Sequence, residues 1–576
     1  MQKKHKGILS HTKLLLISIL LIAAVFRLWN INWDKGFHLH PDERFLVMVT
    51  TSMTIPNSFS QYIDPATSKF NPANINYKFY VYGTFPLAFN KFVAQFFHTD
   101  DYYGLLYQGR IVSALFDLLV VFLLFKTLEL VKKHRTIPQE VVYLGTLFYA
   151  LAVLPIQLSH YFTVDMFLNF FMMASFYFAL KFYYEMQFRD LLASALFLGL
   201  ALASKVSAIY LLPLLLIFLL LSITRKTSPL THYTKQLLKK ISIDNKKAIL
   251  PSSILLSFGA FFLLLYIVLR LADPYYFADS NFFHVAINPV FLDNIKTLAS
   301  WSDPKAWFPP GVQWIHKTPV LYSLYNLSMW GIGLYFFLFS IFGVFVFVKK
   351  YRHPELVISF IWVLLFFLYQ SSQFSQTMRY LIFLYPFLAI LAGLGFHFIV
   401  EKTNAIFKSL LIALLFFWPL CFLSIYIQPM SRVAASYWIE QNIPSTALLL
   451  NEHWDDALPL SVLPGIRYNI ELLPVFDPDN ADKWQKMDDM LTRGDYLILS
   501  SGRGWSNIPT VPERYPRMTK FYEDLFAGKL PYKKIKEFSS YPSLSYLGIP
   551  FTFPDGSAEE AFTVYDHPKV MIFKKY

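Results

Sequence analysis

The stretch that decides the fold is LLLISILLIAAVFRLWNI, residues 14–31, followed closely by HLHPDER, residues 38–44. The first stretch has the length of a helix that crosses the hydrocarbon core of a bilayer, about 20 residues. The second places His, Asp and Glu side chains just outside this span, where ionisable groups are costly without partners or a function. Pro41 suits the first position of a helix, which puts Asp42 and Glu43 in the first turn, where the helix dipole favours carboxylates. The stretch is therefore either the start of an interfacial helix or a catalytic site.

The composition indicates a polytopic membrane protein. Of the 576 residues, 55% are hydrophobic and only 15% are charged, and the hydrophobic residues recur in runs long enough to cross a bilayer. This composition excludes an ordinary soluble protein. Most Lys and Arg residues behind the net charge of +13 lie in short loops, where they set the orientation of the spans, so no nucleic acid partner is predicted. The single cysteine, Cys421, excludes an intramolecular disulfide and a cysteine-based metal site.

The apolar runs predict an all-α membrane domain over residues 1–428 with about 11 transmembrane helices. Basic residues before the first span place the N-terminus in the cytoplasm, and the basic segment 225–248 is also predicted to be cytoplasmic. Two long loops, about 32–109 and 270–319, then lie outside a multi-pass protein of the cell membrane. The predicted spans are approximately 14–31, 110–130, 139–156, 164–182, two within 191–223, 249–269, 321–348, 355–370, 379–400 and 409–428.

The composition changes from about Pro429. Charge and proline content rise, and the apolar runs shorten to strand length, as in Ala447–Leu450, Tyr496–Ser500 and Val570–Phe573. Such a pattern is typical of a small α/β or α+β domain. Because the number of predicted spans is odd, this domain, residues 429–576, is predicted to be extracytoplasmic.

Ionisable residues from segments distant in sequence converge on the outer ends of the predicted spans. Carboxylates with cationic companions at headgroup depth suit a substrate that has a phosphate in that layer and a reacting centre just above it. Each residue also has a structural explanation: Asp165 could cap its helix, Lys205 could extend to the interface, and Arg379 could contact lipid headgroups. The converging residues are Asp42, Glu43, His160, Asp165, Lys205 and Arg379.

A metal site has little support in the sequence. His38 and His40 lie close to Asp42, but alternating residues within one short segment form only a sparse ligand set. No cofactor is required by the chemistry considered below, and participation of a divalent metal stays open.

The sequence resembles the GT-C glycosyltransferases, polytopic enzymes that use lipid-phosphate-linked sugars. Within that group it is most similar to the protein O-mannosyltransferases and the aminoarabinose transferases, over roughly residues 14–400. Five local features carry the resemblance: His40-Pro41-Asp42-Glu43, Val81–Pro86, Leu154–His160 with Asp165, Leu202–Lys205, and Arg379-Tyr380 ahead of Pro386. The tail, residues 563–570, also resembles the end of bacterial members of the family. The histidines at 38 and 40 and the outer domain depart from the family pattern.

The resemblance implies a reaction and roles for the site residues. A sugar would move with inversion from a polyprenyl-phosphate carrier to a hydroxyl group of a protein, lipid or cell-surface glycan on the outer face of the membrane. Asp42 would be the general base, and Glu43 would position it or the acceptor. Lys205 and Arg379 would bind the carrier phosphate. Asp165 matches the second acidic position of the family, and His160 would lie beside it.

Two other functions stay open at the level of the sequence. A polytopic lipid or glycan transporter or flippase with an outer accessory domain is the main alternative, although such proteins usually place their site near the middle of the membrane. A membrane scaffold whose outer domain binds surface glycans is another. The sugar, the acceptor, the role of residues 429–576 and the oligomeric state are not determined by the sequence.

Overall fold

Helices dominate the part of the chain that the structure describes, and the strands in that part are confined to the last third of the sequence. A computed structural model describes residues 2–224 and 249–576, so the predicted cytoplasmic segment 225–248 lies outside the described residues. The α-helices are α1 Gln2–Leu28, α2 Pro41–Ser52, α3 Phe59–Ile63, α4 Phe85–Phe97, α5 Tyr102–His134, α6 Gln139–Ala150, α7 Val153–Ser159, α8 Val164–Glu185, α9 Phe188–Leu202, α10 Leu212–Ile223, α11 Ile249–Ala272, α12 Pro289–Ser300, α13 Leu321–Asn326, α14 Leu334–Lys350, α15 Pro354–Ser371, α16 Tyr385–Val400, α17 Ala405–Ile427, α18 Ser431–Asn442, α19 Ala481–Arg493, α20 Arg503–Asn507, α21 Pro516–Phe526 and α22 Glu560–Thr563.

The predicted multi-pass helical membrane protein is confirmed. Within the described residues, 7 helices are long and apolar enough to cross a membrane, or up to 9 if two bent helix pairs each count as one span. The bent pairs are α6 with α7 and the segment Leu321–Gly331 with α14. Helices α1 and α9 also lie where spans were predicted, but α9 has only 15 residues. The larger predicted number of spans therefore stays a prediction.

Glycines allow the central helices to approach one another closely. A Cβ atom added to Gly395 of α16 would lie 2.1 Å from the carbonyl oxygen of Phe339 in α14. One added to Gly343 of α14 would lie 1.9 Å from the carbonyl oxygen of Leu391. Small residues at such contacts are the usual means by which membrane helices pack, because lipid offers no hydrophobic driving force between them. The contact between α14 and α16 thus depends on glycine at both positions.

A buried ion pair ties the first span to its neighbours. The Arg27 Nε atom lies 2.6 Å from Asp117 Oδ2, and both side chains are fully buried. Arg27 also donates to the carbonyl oxygen of Ala150 at 2.8 Å, and Tyr149 donates to Asp117. An unpaired charge at this depth would be costly, so Arg27 and Asp117 fix the positions of α1, α5 and α6 relative to one another.

Residues 429–576, the C-terminal region, contain one mixed sheet flanked by helices. Its strands are β1 Leu448–Glu452, β2 Asn469–Leu473, β3 Tyr496–Leu499, β4 Tyr532–Phe538 and β5 Val570–Lys575. The strand order is β2-β1-β3-β5-β4, with β1 parallel to β2 and β3, and with β5 antiparallel to β3 and β4. Residues that follow β1 and β3 therefore emerge at the same edge of the sheet, where Asp456, after β1, pairs with Arg44 of α2 at 2.6 Å.

We expect Gly395→Ala to destabilise the helical domain, because the new methyl group would overlap the main chain of α14. Overpacking of a tight contact costs about 1–3 kcal/mol, and occasionally more. Gly259→Ala in α11 is the matched control, since an added Cβ there meets nothing within 4 Å. The measurement is the melting temperature of the purified protein in detergent. Equal melting temperatures for the two variants would contradict the glycine contact.

Candidate active site

Helix α2 begins as the sequence predicts. Pro41 occupies its first turn, and the side chain of His40 caps it by accepting a hydrogen bond at Nδ1 from the Glu43 amide, 3.3 Å away. Asp42 and Glu43 lie in the first turn, as expected from the helix dipole. The two carboxylates point to different surroundings: the Asp42 side chain is 32% exposed, whereas that of Glu43 is fully buried.

Four of the predicted site residues form one continuous chain of opposite charges. Arg379 Nη1 lies 2.6 Å from Asp42 Oδ2, and Arg379 Nε lies 3.7 Å from Asp165 Oδ2. The other oxygen of Asp165 accepts from Lys205 Nζ at 2.9 Å. We call Asp42, Arg379, Asp165 and Lys205 the charge chain. Its members come from α2, from the 3₁₀ helix Met378–Leu384, from the first turn of α8 and from the residue ahead of the 3₁₀ helix Val206–Leu211. The structure brings these four residues together, and their role in a site stays a prediction.

The neighbours of Asp42 keep it ionised. Burial alone would raise the pKa of Asp42, but Arg379, with smaller contributions from His40 and Lys205, lowers this pKa to about 2. Burial lowers the pKa of His40 to about 4, so its imidazole is neutral at physiological pH. A carboxylate held this strongly by a guanidinium is a weak base until the guanidinium moves away.

Two of the segments that carry the family resemblance, Val81–Pro86 and Leu202–Lys205, contact each other next to Lys205. The amides of Gly83 and Phe85 donate to the carbonyl oxygens of Ser204 and Ala203 at 3.0 and 3.2 Å. A Cβ atom on Gly83 would lie 1.9 Å from the Ala203 oxygen, so this approach requires glycine. The features Val81–Pro86 and Leu202–Lys205 therefore form one support for the lysine.

Aromatic rings cover the cations of the charge chain. Lys205 Nζ lies 4.9 Å from the centre of the Tyr380 ring and 6.0 Å from that of Tyr82. The Arg379 guanidinium lies 5.8 Å from the same Tyr380 ring. Such contacts stabilise a cation without neutralising it, so both cations keep their attraction for an anion.

Glu43 belongs to a second, fully buried charge group. Arg110 donates to both of its carboxylate oxygens, at 2.8 and 2.7 Å, and the Phe162 amide donates to it at 2.8 Å. Arg110 also donates to both oxygens of Asp34, at 3.0 and 2.9 Å. The Glu43 carboxylate is thus fully engaged with protein groups and holds α2 against α5 and the segment ahead of α8.

His160 is also engaged with the protein. Its ring stacks on Tyr426 with centroids 3.8 Å apart. Its nitrogens lie 2.8 and 3.0 Å from the carbonyl oxygens of Ile156 and Trp29. Neither nitrogen is directed at the charge chain, although Asp165 lies only a few residues away in the sequence.

The two histidines near Asp42 contact aromatic rings. His38 stacks on Tyr102 with centroids 3.9 Å apart, and His40 packs between Tyr161 and Tyr565 at 4.5 and 4.2 Å. In residues 2–224 and 249–576, no group of three or more His, Cys, Asp or Glu side chains is arranged to hold a metal ion.

Sequence reasoning missed several residues around the charge chain. Arg110 left a usable signal, since it opens an apolar run in which a cation needs a partner. Asp34 lies in an ordinary polar loop. Tyr565 and Glu559, whose carboxylate accepts from the Met378 amide next to Arg379, come from the far end of the chain. For these three residues, only the tertiary structure shows the contact.

A family match adds independent evidence. Residues 105–238 match the model of the dolichyl-phosphate-mannose-protein mannosyltransferase family. This segment is similar to those of membrane glycosyltransferases. The match confirms both the family resemblance and the enzyme class predicted from the sequence. The matched segment includes Asp165 and Lys205 of the charge chain. No curated protein sequence gives a significant match.

Solved structures with a similar fold include three glycosyltransferases. Archaeal oligosaccharyltransferase AglB from Archaeoglobus fulgidus, in complex with an inhibitory peptide and a dolichol-phosphate, is 12% identical, with 97% of this chain and 88% of that chain covered and a TM-score of 0.47. ArnT from Cupriavidus metallidurans bound to undecaprenyl phosphate is 14% identical, with 98% of each chain covered and a TM-score of 0.42. An S. cerevisiae protein O-mannosyltransferase complex bound to the sugar donor is 17% identical, with 45% and 33% covered and a TM-score of 0.31. These similarities are too weak to transfer a ligand or a residue's role to this chain.

Asp42 and Glu43 should respond differently to loss of charge. We expect Glu43→Ala to destabilise the protein by about 3–5 kcal/mol, because the buried Arg110 would keep only one of its two carboxylate partners, Asp34. Asp42→Asn should change stability much less, since Asp42 is partly exposed and Arg379 keeps Asp165. Melting temperatures in detergent test this difference, and a larger loss for Asp42→Asn would contradict it.

Proposed function

We propose that the protein is an inverting glycosyltransferase that moves a sugar from a polyprenyl-phosphate carrier to a hydroxyl acceptor. The charge chain is the observation that carries this proposal. It combines a partly exposed carboxylate, Asp42, with two cations held beside it at one end of the membrane helices. This is the set of groups needed to deprotonate a hydroxyl and to receive a departing phosphate. The family match over residues 105–238 supports the same reaction class.

We further propose that the charge chain lies on the outer face of the membrane. Its member Asp165 lies in the first turn of α8, whereas Lys181, paired with Asp190 at 2.9 Å, lies towards the opposite end of the same helix. A helix of 22 residues is about 33 Å long, so the two ends lie on opposite sides of a bilayer core. Arg135, paired with Glu355 at 2.6 Å, lies at the end of the membrane helices where the basic loops are found. Basic loops are typical of the cytoplasmic side, so we assign this end to the cytoplasm.

The proposed topology follows from this orientation. It has about 11 spans in residues 1–428, a cytoplasmic N-terminus and an extracytoplasmic domain of residues 429–576. The donor then reaches the charge chain from the outer leaflet. No cofactor is needed in this scheme, because the leaving phosphate is already stable as an anion.

The mechanism assigns one task to each member of the charge chain. The Asp42 carboxylate takes the proton of the acceptor hydroxyl as its oxygen attacks the anomeric carbon, a contribution of about 10²–10⁴-fold. The bond between this carbon and the carrier phosphate breaks on the opposite face, which inverts the configuration. Lys205 and Arg379 stabilise the charge that develops on the phosphate. Asp165 holds both cations in place.

Arg379 connects the two halves of the reaction. Its guanidinium is bound to Asp42 in this structure, 2.6 Å away, and the same group is proposed to bind the carrier phosphate. A phosphate competes with Asp42 for Arg379. Donor binding would therefore weaken the Asp42 pair and raise the pKa of the base, so that Asp42 becomes basic only when the donor is present.

Glu43 and His160 keep supporting roles in this proposal. Glu43 positions α2, and through it Asp42, by its bond with Arg110. His160 helps to hold the segment ahead of α8, where Asp165 begins the helix.

The first test replaces Asp42 by Asn. We expect transfer from labelled polyprenyl-phosphate mannose to fall by about 10²–10⁴-fold, because the base is lost, while the protein stays folded. Peptide, lipid and glycan acceptors are assayed in parallel with the purified full chain. Asp293→Asn, on an exposed loop helix where the Asp293 side chain is 73% exposed, serves as the control and should transfer normally. Normal transfer by Asp42→Asn would exclude this mechanism.

A second test uses pH. In the free protein, Asp42 has a pKa of about 2, so its carboxylate form persists at neutral pH and is lost only as the pH falls through that value. The profile of kcat/KM, which reports the free enzyme, should then show no acid limb due to Asp42 above about pH 4. The profile of kcat reports the donor complex and should show an acid limb at higher pH. If the acid limbs of the kcat/KM and kcat profiles coincided, the proposal that Arg379 releases Asp42 on donor binding would be contradicted.

A further inference from the structure

We propose that residues 559–566, the C-terminal strap, form part of the active site and align Asp42 with Arg379. The proposal rests on the function proposed above and gives the C-terminal region a role in it. Glu559 and Tyr565 are the positioning residues. The strap contacts the immediate neighbours of both members of the Asp42–Arg379 pair, although these lie 337 residues apart in the sequence.

One end of the strap lies against the residue that caps α2. The ring of Tyr565 packs on His40 with centroids 4.2 Å apart, and the ring of Tyr161 also packs on this imidazole, at 4.5 Å. His40 is almost fully buried, and its Nδ1 caps the turn that carries Asp42. Any displacement of Tyr565 therefore acts on the start of α2, two residues from the proposed base.

The other end of the strap holds the segment that carries Arg379. Glu559 accepts a hydrogen bond from the Thr377 hydroxyl at 2.8 Å and from the Met378 amide at 2.9 Å. These groups begin the 3₁₀ helix in which Arg379 is the second residue. Glu559 thus fixes the direction in which the guanidinium leaves the main chain.

The strap is itself held firmly between the membrane helices and the C-terminal sheet. Glu560 pairs with Arg503 at 2.6 Å and accepts from Asn507 at 2.7 Å, both in α20 of the C-terminal region. Asp566 accepts from the Tyr426 hydroxyl of α17 at 2.8 Å and from Gln157 of α7 at 3.1 Å. Because the strap is anchored at both ends and on both sides, it has little freedom to move. It can therefore fix the positions of the groups that it contacts near Asp42 and Arg379.

A separate ion pair brings the C-terminal region to α2 as well. Arg44 donates to Asp456 at 2.6 Å, and the second oxygen of Asp456 accepts from buried Arg432 at 2.9 Å. Asp456 follows β1 of the C-terminal sheet. The start of α2 is therefore held by the C-terminal region at Arg44 and at His40.

A strap that only stabilises the packing of the C-terminal region on the membrane helices would make the same contacts. The test must therefore separate an effect on the alignment of Asp42 and Arg379 from an effect on stability. Glu559→Gln keeps the size of the side chain but replaces one of the two acceptor oxygens, which face the Thr377 hydroxyl and the Met378 amide, by an NH₂ group. Glu440→Gln is the matched control: Glu440 is also buried and accepts from the Val462 and Leu463 amides at 2.9 and 2.6 Å, within the C-terminal region. Both changes should lower the melting temperature to a similar degree.

Kinetics of the full chain then distinguish the two roles. We expect Glu559→Gln to raise the KM for polyprenyl-phosphate mannose and to lower kcat, together by about 10–100-fold, since misplacement by about 1 Å has effects of this size. Glu440→Gln should leave both constants unchanged. Tyr565→Phe should keep activity, whereas Tyr565→Ala should lose about tenfold or more, because the ring and not the hydroxyl supports His40. Tyr546→Ala, at another contact with the membrane helices through Leu420, is the control for the tyrosine.

The outcomes separate this inference from the proposed function. If the wild type transfers sugar and Asp42→Asn does not, but Glu559→Gln and Glu440→Gln have equal kinetics, the alignment role is overturned and the function stands. If the wild type transfers from no polyprenyl-phosphate sugar, the proposed function fails. Binding of undecaprenyl phosphate by the full chain in detergent then decides the inference alone: weaker binding by Glu559→Gln than by Glu440→Gln supports it, and equal binding overturns it.

Discussion

The Asp42–Arg379 ion pair is the interaction on which the rest of the site depends. It joins the first extramembrane helix to a short helix that lies 337 residues later, at a separation of 2.6 Å. Around it, charges alternate along the charge chain, so that each ion has an opposite neighbour. This arrangement lets the protein keep ionised groups at the edge of the membrane without the large cost of isolated charges.

The same balance makes the site responsive to an anion. The charge chain contains two carboxylates and two cations, so a bound phosphate adds negative charge to a neutral group. The cations must then be shared among three anions. Asp42 would lose most of its attraction to a cation, because among the described residues only Arg379 contacts it directly. A carboxylate that loses its guanidinium gains basicity. In the proposed mechanism, donor binding and activation of the base would therefore be linked through Arg379.

The sequence was informative where an ionisable residue interrupts or borders an apolar run. Asp42, Asp165, Lys205 and Arg379 each stand out in this way, and the structure brings all four together. The helical membrane fold was predictable for the same reason, because span-length apolar runs have few alternative structures. The match of residues 105–238 to a glycosyltransferase family agrees with the motifs quoted from that part of the chain.

The remaining features depend on tertiary contacts that carry no local signal. Adjacent carboxylates at 42 and 43 look equivalent in the sequence, yet Arg110 engages one and Arg379 the other. The direction in which each side chain leaves α2 decides which arginine it meets. The sequence alone does not give this direction, because it depends on which helices pack around α2. His160 shows the converse case, since a residue close to Asp165 in sequence turns its ring to main-chain carbonyls instead.

The position of the strap has a consequence for how the site is assembled. Asp42 and Arg379 lie in the membrane domain, but the groups that hold their neighbours, Tyr565 and Glu559, come from the last residues of the chain. The membrane helices alone would leave the Met378 amide and the Thr377 hydroxyl without their acceptor and one side of His40 uncovered. Buried polar groups without partners are costly, so the segment around Arg379 would rearrange. The geometry of the charge chain is thus complete only when the C-terminal region is folded against α2, and under the function proposed above the two parts of the chain would act as a single catalytic unit.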